Sequence, residues 1–405
     1  MMLFEAGHIV SADLLKVAAA AGAKARVFKY APANGYTHNQ IAEPVTIGKR
    51  FADFEILMRG QLRRFDAEVQ GVRRAKIRGA VGIFGGGLTP AFERSVADIL
   101  EMGVAGPSTQ ILPIESLAQF FAPLSIIAGI VENFAQNLRL ASGDLAEIKE
   151  GFRRGQTGSS IMTFKQNPIN IENITGAARK IKALAGELMS ATATWRERDI
   201  SNSFQVQRHI IPEMFEAAEH IAKKTLAVIE NLQVFPIQAH RNLAKYGDFI
   251  FAGAAKDFFA TQPDAASCAQ SEIYSLIQEH SIAAKYAADF RGEKSLLFDA
   301  LAPSVGENAR ADLRRVLSLP YNLRNAREYY DVVYGARQSD DGAHDAMVDY
   351  IVDSGQLARF KPSDSAAFIC DYWKICDANY AGGKFADERR ALAAACARFT
   401  AELEK

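Results

Sequence analysis

The chain has 405 residues, enough for two or three domains with sizeable hydrophobic cores. Its 47 basic and 47 acidic residues cancel to a formal net charge of zero, which argues against general nucleic-acid binding, because that needs a basic surface. The four cysteines form no C-x-x-C pair and the seven histidines are scattered, so neither a zinc site nor a disulfide framework is expected.

The N-terminal residues lack the basic region and long apolar core of a signal peptide. The longest apolar run, from Phe120 to Val131, contains Pro123 and is too short to span a membrane. We therefore expect a cytoplasmic protein with no membrane partner.

Long amphipathic helices dominate the chain. The first begins near Phe51, and its apolar residues recur in steps of three and four, which predicts one buried face. That stripe consists of Phe54, Leu57, Met58, Leu62, Phe65, Val69 and Val72. A second helix is predicted from about Pro113 to Leu140, with a kink near Pro123. A third is predicted from near Ile174 through Trp195, and a fourth from near Ile211 to Leu232.

A glycine-rich segment, residues 79–87, separates the first two helices. It lacks the G-x-G-x-x-G spacing after a clear strand, so the segment predicts a connecting turn and not a dinucleotide site. Few segments of the chain alternate with period two. The predicted fold class is therefore all-α.

A polar segment precedes the first long helix. Residues 35–48 read Gly-Tyr-Thr-His-Asn-Gln-Ile-Ala-Glu-Pro-Val-Thr-Ile-Gly. A histidine can hold a proton at neutral pH and deliver it to a leaving group, which makes His38 a candidate general acid. Taken alone, such a residue is more often a structural turn histidine.

The most informative segment is residues 158–172, Gly-Ser-Ser-Ile-Met-Thr-Phe-Lys-Gln-Asn-Pro-Ile-Asn-Ile-Glu. Preceding glycines predict a mobile loop, and Pro168 suits the first turn of a following helix. A loop serine such as Ser159 can remove a proton from carbon if nearby N–H groups stabilise its alkoxide. Lys165 and Asn167 can hold a substrate carboxylate that takes up negative charge.

A third polar segment, residues 195–208, reads Trp-Arg-Glu-Arg-Asp-Ile-Ser-Asn-Ser-Phe-Gln-Val-Gln-Arg. Arginine suits planar, bidentate binding of phosphate. For this segment alone, an exposed charged helix face is nearly as good an interpretation.

Together these motifs resemble the fumarase/aspartase superfamily. Its signature loop reads Gly-Ser-Ser-x-Met-x-x-Lys-x-Asn, and all six of its defined positions match residues 158–167 in register. Two further positions beyond the loop, Pro168 and Glu172, also match the superfamily. Two positions depart from it, because Thr163 replaces the usual proline and Phe164 the histidine that is frequent in the adenylosuccinate lyase branch. Residues 35–48 are similar to the superfamily's Thr-His-x-Gln motif, although glycine is commoner at Asn39.

The resemblance implies a role for each matching residue. Ser159 would be the general base and His38 the general acid, with Glu172 as the carboxylate partner of the histidine. The implied substrate-binding residues in the two motifs are Thr37, Gln40, Ser160, Met162, Lys165 and Asn167. No metal and no organic cofactor is implied, because the substrate carboxylate is itself the electron sink.

Residues 195–208 resemble the Glu-Arg-Asp-x-Ser-x-Ser segment of the adenylosuccinate lyase branch, where arginine and serine side chains bind the nucleotide phosphate. Arg198 and Ser203 match this pattern. Arg208 stands one residue later than the pattern requires, and one extra residue turns a helical side chain by about 100°. The resemblance counts Arg208 among the substrate-binding residues, although this offset would turn its side chain away from the position that the pattern requires.

The resemblance also implies the architecture. Residues 1–235 would form a long central helix bundle, 236–335 a smaller C-terminal helical domain, and 336–405 a linker with further helices. Superfamily members are homotetramers in which three chains contribute to each active site. His38 and Ser159 of one site would then belong to different subunits.

Family members begin with a domain that ends in a His/Thr-Ser-Asp motif, and we expect this domain to be largely absent from the chain. The expected function is elimination of fumarate from an N-substituted aspartate, adenylosuccinate being the leading substrate. Two alternatives stay open. One is a lyase or cycloisomerase of the argininosuccinate or muconate type. The other is a non-catalytic helical paralogue with a role in assembly.

Overall fold

The computed structural model describes residues 2–152, 155–156, 158–193, 196–265 and 269–334. The predicted linker at 336–343 and the helices predicted beyond it lie outside the described residues. So does Trp195, the predicted end of the third helix.

The described part of the chain is predominantly helical, which confirms the all-α prediction. Its α-helices, in chain order, are α1 (Met2–Val27), α2 (Ile47–Gly71), α3 (Pro90–Ile99), α4 (Ile114–Ser142), α5 (Ile169–Ser190), α6 (Ile200–Gln205), α7 (Ile211–Asn231), α8 (Pro236–Ala244), α9 (Ala252–Thr261), α10 (Gln270–Tyr286), α11 (Leu297–Leu301), α12 (Glu307–Val316), α13 (Leu319–Asn322) and α14 (Ala326–Tyr334). Its strands are all short: β1 (Pro32–Thr37), β2 (Gln40–Thr46), β3 (Arg74–Ala75), β4 (Gly103–Val104), β5 (Ile148–Lys149) and β6 (Gln233–Val234).

Two compact units make up the chain. The first comprises residues up to Ala23, Asp53–Asp144 and Ile148–Leu232, and the second comprises Lys24–Ala52, Leu145–Glu147 and the described residues from Gln233 onward. The division into sequence domains at residues 235 and 335 stays a prediction.

In the first unit, α5 packs against α4 and α7. Five residues of the predicted stripe are buried, namely Phe54, Met58, Leu62, Phe65 and Val69, whereas Val72 follows the end of α2 and is half-buried. The stacked rings of Phe54 and Phe134 join α2 to α4. The prediction was wrong for Leu57, which is 56% exposed. Leu57 immediately precedes Met58, and a step of one residue turns the side chain by about 100° away from the buried face.

Helix α4 carries the buried residues of a bundle core, among them Phe121, Leu124 and Val131. Of the described helices, it alone is long and apolar enough to cross a membrane, with a mean hydropathy of 1.7 over its most apolar 18-residue window. Half of that window is buried inside the fold, as in the core helix of a bundle.

The turn predicted at residues 79–87 contains neither helix nor strand. Gly82 adopts a φ of +80°, and a Cβ there would lie 2.0 Å from the Ser108 carbonyl oxygen. Only glycine fits this position. The Arg78 guanidinium holds the turn in place through the buried Glu93 carboxylate at 3.1 Å.

The second unit combines the β1–β2 hairpin with helices α8 to α14. Helix α8 packs against β1. The helical core contains Phe251, Phe259 and Leu301. The buried Asp248 carboxylate accepts hydrogen bonds from the first backbone N–H groups of α11, and burial raises the pKa of this carboxyl.

Candidate active site

His38 lies at the tip of the β1–β2 hairpin. The two-residue turn His38-Asn39 has φ angles of 51° and 57°, and Thr37 pairs with Gln40 beside it. Positive φ at both central residues is typical of a type I′ turn. Asparagine tolerates this region better than most residues, which accounts for Asn39 where glycine is commoner. His38, Thr37 and Gln40 are all exposed.

The base of the hairpin is fixed by one buried carboxylate. Glu147 is fully buried and accepts from Arg50 Nη1 at 3.0 Å and from Asn242 Nδ2 at 3.2 Å. Arg50 Nη2 donates to the Asn34 carbonyl oxygen of β1 at 2.6 Å. A Cβ at Gly35 would lie 2.4 Å from the Glu43 carbonyl oxygen, so glycine is required at the bulge of this hairpin.

Ser159 lies in a loop, residues 158–168, that closes on itself. Its Oγ accepts a hydrogen bond from the Met162 backbone N–H at 3.1 Å. Asn167 Nδ2 donates to the Gly158 carbonyl oxygen at 3.0 Å, which joins the two ends of the loop. A Cβ at Gly158 would lie 2.3 Å from the Lys165 carbonyl oxygen, so the close approach of the two ends requires glycine. The serine oxygen therefore already faces an N–H donor that can stabilise its alkoxide.

The outer part of this loop is open to solvent. Ser160, Met162 and Lys165 are exposed, whereas Ser159 is half-buried. Ile161 and Phe164 expose 86% and 84% of their surface, unusually large values for apolar side chains.

Pro168 directly precedes α5 as its N-cap residue, one position earlier than predicted. Glu172 lies in the first turn of α5, and its Oε1 is 3.7 Å from Arg139 Nε on α4. The pairing of Glu172 with His38 stays a prediction, because the two residues belong to different units.

Arg198 is held by a residue that no motif pointed to. Its Nη1 donates to Gln110 Oε1 at 2.8 Å, and the Gln110 backbone N–H donates to the Glu197 carbonyl oxygen at 3.3 Å. Lys76 Nζ donates to the Gln110 carbonyl oxygen at 2.9 Å. Gln110 thus connects the Arg198 segment to the start of α4. A single glutamine before a helix carries no recognisable sequence signal.

A cleft of about 540 Å³ opens beside Gln110 in the first unit. Its lining includes two cationic side chains, Arg74 and Lys76, and the side chain of Gln207 from the helix that follows Arg198. The lining also includes the Glu68 carboxylate, so the two cationic side chains exceed the anionic ones by one among these three charged residues.

Arg208 lies in a π-helical turn, Val206–Ile210, between α6 and α7. Its guanidinium carbon is 5.4 Å from the centre of the Phe204 ring. A π-turn accommodates one extra residue in a single turn, so the helix after it keeps its phase. The extra residue is thus absorbed locally, and the one-residue offset no longer argues against Arg208 as a substrate-binding residue, a role that stays a prediction.

Helix α6 contains Ser203 and begins after Asp199. The Asp199 carboxylate accepts from the backbone N–H and the hydroxyl of Ser201, and these hydrogen bonds lower its pKa. The aspartate therefore caps the helix that carries the predicted phosphate-binding serine.

The structure gathers most of the predicted residues into the first unit. They are the loop residues Ser159, Ser160, Met162, Lys165 and Asn167, followed by Glu172, Arg198, Ser203 and Arg208. The hairpin residues Thr37, His38 and Gln40 belong to the second unit. Their roles stay predictions. Among the described residues, no group of three or more His, Cys, Asp or Glu side chains could hold a metal ion.

A family model described as a lyase matches residues 1–183. The chain is 35% identical over 252 residues to adenylosuccinate lyase of Streptococcus mutans and 34% identical over 252 residues to that of Bacillus subtilis. Each alignment covers 62% of this chain and 58% of the relative. The chain thus spans less than two thirds of the length of these curated relatives.

Solved structures show the same fold. A fumarate lyase from Mesorhizobium sp. BNC1 matches with a TM-score of 0.67 and 22% identity, over 82% of this chain and 73% of that one. A 3-carboxy-cis,cis-muconate lactonizing enzyme from Pseudomonas putida matches with a TM-score of 0.68 and 20% identity, over 83% and 74% of the two chains.

Proposed function

Because the chain belongs to the fumarase/aspartase superfamily of lyases, we propose that it is a C–N lyase that eliminates fumarate from an N-substituted aspartate. The observation that carries this proposal is the closed loop of residues 158–168. In it, the Ser159 hydroxyl faces a backbone N–H, and Lys165 and Asn167 follow within the same loop. A loop that served only to connect two elements would not require this combination of residues.

Ser159 acts as the base in this proposal. Its hydroxyl first gives its proton to water, and the resulting alkoxide removes the proton from Cβ of the aspartyl group and becomes a hydroxyl again. The Met162 N–H, 3.1 Å from Oγ, stabilises the negative oxygen, as preorganised donors do in oxyanion holes. The fold itself forms this hydrogen bond, so little reorganisation accompanies the reaction.

Removal of the Cβ proton leaves negative charge that the neighbouring substrate carboxylate takes up as an aci-anion. The exposed Lys165 ammonium and the Asn167 amide, both in the loop, bind that carboxylate and stabilise the added charge. Asn167 Nδ2 is engaged with the Gly158 carbonyl oxygen. Binding of the carboxylate therefore uses its second N–H.

The C–N bond then breaks, with the departing nitrogen leaving on the face opposite the base. His38, oriented by Glu172, gives that nitrogen a proton. Fumarate and the free amine are the products. At the exposed tip of its hairpin, the imidazole is accessible to a ligand.

We further propose adenylosuccinate as the substrate. The curated relatives are adenylosuccinate lyases, and the cleft beside Gln110 is bordered by Arg74 and Lys76. Arg198, Ser203 and Arg208 would bind the nucleotide phosphate. A cytoplasmic location fits such a substrate.

The deciding experiment is an absorbance assay for fumarate release from adenylosuccinate, argininosuccinate and aspartate in parallel. We expect release from adenylosuccinate. Release from argininosuccinate alone would transfer the proposal to another branch of the superfamily. No release from any of the three would contradict a fumarate-forming activity and favour a cycloisomerase or a non-catalytic role in assembly.

A further inference from the structure

A buried carboxylate outside the superfamily motifs stands behind the Ser159 loop. Glu150 follows β5, and only 6% of its surface is exposed. Its Oε2 accepts from the backbone N–H groups of Asn170 at 3.0 Å and Ile171 at 3.1 Å. Its Oε1 accepts from the Asn170 side-chain amide as well as from the Asn170 backbone N–H. A buried charge is tolerated only when it is paired in this way.

These contacts replace a missing helix cap. The first N–H groups of any α-helix lack partners within the helix. The N-cap residue of α5 is Pro168, whose side chain accepts no hydrogen bond. Glu150 therefore supplies the acceptor from 20 positions earlier in the chain, and its negative charge suits the positive end of the helix dipole.

Two further contacts fix this arrangement to α7. Lys224 Nζ, on α7, donates to Asn170 Oδ1 at 3.2 Å. Gly151, directly after Glu150, packs so closely on the end of α7 that a Cβ there would lie 2.6 Å from the Asn231 carbonyl oxygen. Both ends of the segment from 150 to 171 are thus held on the same helix.

We propose that Glu150 is a positioning residue for the loop of residues 158–168. The loop runs straight into α5, with Asn167 followed by Pro168 and then the capped turn. By holding that turn, Glu150 fixes where Lys165 and Asn167 stand relative to Ser159. Glu150 touches no reacting atom, so it acts through the loop. The kinetic part of this inference rests on the function proposed above.

The first test measures the loop without any reaction. Amide hydrogen exchange is followed in peptides covering 158–168 and 169–172, for the full-length protein and for Glu150→Ala. Faster exchange at Asn170 and Ile171 is expected in any case, because the variant lacks the acceptor of their N–H groups, and it does not test the inference. The inference requires that residues 158–168 also exchange faster while α4 stays protected. Unchanged exchange in 158–168 would overturn it, whatever the enzyme does.

The second test is kinetic. Displacement of catalytic groups by about 1 Å can lower the rate roughly 10²-fold. We expect Glu150→Ala to lower kcat on this scale with a much smaller change in KM, because substrate binding draws on other groups. Glu150→Gln keeps one acceptor oxygen and should recover part of the loss. The control is Glu187→Ala, which removes an exposed carboxylate further along α5. Its kcat and KM should equal those of the unchanged protein.

The outcomes separate the two proposals. A loosened loop with unchanged kcat would overturn the positioning role while leaving the lyase intact. If the unchanged protein releases no fumarate, the proposed function fails, and hydrogen exchange still decides whether Glu150 orders the loop. Should Glu150→Ala fail to fold, Lys224→Met removes the second tie on Asn170 and must loosen 158–168 for the inference to stand.

Discussion

At the scale of single residues, the Ser159 hydroxyl carries the greatest mechanistic weight. Its oxygen is held by the Met162 N–H, and an alanine would leave the rest of the loop's backbone contacts in place. We expect Ser159→Ala to lower kcat by several orders of magnitude while adenylosuccinate still binds, because the lost group acts only in the transition state. Steady-state kinetics together with calorimetric binding measures both quantities. Near-normal turnover in this variant would contradict the mechanism.

Arg198 allows a test of the substrate's phosphate. Its guanidinium is oriented by Gln110 at 2.8 Å. If it binds a phosphate, Arg198→Ala should weaken adenylosuccinate binding by about 1.5–3 kcal/mol, the range for a hydrogen bond to a charged group. Binding of succinyladenosine, the same ligand without its phosphate, should hardly change. Arg94→Ala, an exposed arginine on α3, serves as the control. Equal losses for both ligands would assign Arg198 a structural role.

His240 makes stability depend on pH. It is 6% exposed on α8, and Nδ1 finds no hydrogen-bond partner within the described residues. Burial, helped by the positive charge of Lys294, lowers the pKa of this imidazole from 6.5 to about 4. The folded state therefore keeps it neutral, while the unfolded state takes up a proton below pH 6.5.

The sign of the effect follows from that difference. Above pH 6.5, protonation of His240 does not lower the free energy of unfolding, because the imidazole is neutral in both states. Between pH 6.5 and 4, the preferential protonation of the unfolded state should lower the free energy of unfolding by roughly 3 kcal/mol. Urea unfolding at several pH values would show a shallower decline for His240→Gln than for the unchanged protein. His280→Gln, at an exposed position of the same unit, should keep the full decline. If the free energy of unfolding fell equally with pH in all three proteins, His240 would not be the cause of the decline.

At the scale of elements, the continuous helix from Ile200 to Asn231 contains the most unusual feature, the π-turn Val206–Ile210. If this turn absorbs one extra residue, deleting the exposed Gln207 should convert it to an α-turn with little change in melting temperature. Deleting Lys223 from α7 is the control. It turns Thr225, Val228 and the residues after them by about 100° out of the core and should destabilise the protein severely. Equal destabilisation by the two deletions would contradict the interpretation.

Much of the fold was predictable because its signals are local. The stripe of α2 repeats with the helical period, and its error at Leu57 came from including a residue next to a buried one. The hairpin at His38 was not predicted as a hairpin, because His-Asn is a weak turn signal beside Asn-Gly.

The candidate site also contains residues that the sequence could predict and residues that it could not. The loop of residues 158–168 could be predicted because its chemistry and spacing lie within one short segment. Gln110 and Glu150 could not, since their partners Arg198 and Asn170 are 88 and 20 positions away along the chain. Such contacts depend on packing of whole helices, which a local pattern does not encode.

At the scale of the whole molecule, exposed apolar side chains on the bundle helices point to assembly. Leu57 on α2, Leu140 on α4 and Met189 on α5 are each more than half exposed, and Ile161 and Phe164 project from the Ser159 loop. Covering these side chains with another chain would remove apolar surface from water, which favours association.

We therefore predict a homotetramer in which each active site combines residues from different chains. Multi-angle light scattering should give four times the mass of one chain. Because His38 and Ser159 of one site would come from different subunits, mixing inactive His38→Ala with inactive Ser159→Ala after reversible dissociation should restore part of the fumarate-forming activity. Mixing either variant with Ser159→Ala/His38→Ala chains is the control and should restore none, since no site then receives both residues intact. A monomer with full activity would refute shared sites, and so would a tetramer whose two single variants never complement each other.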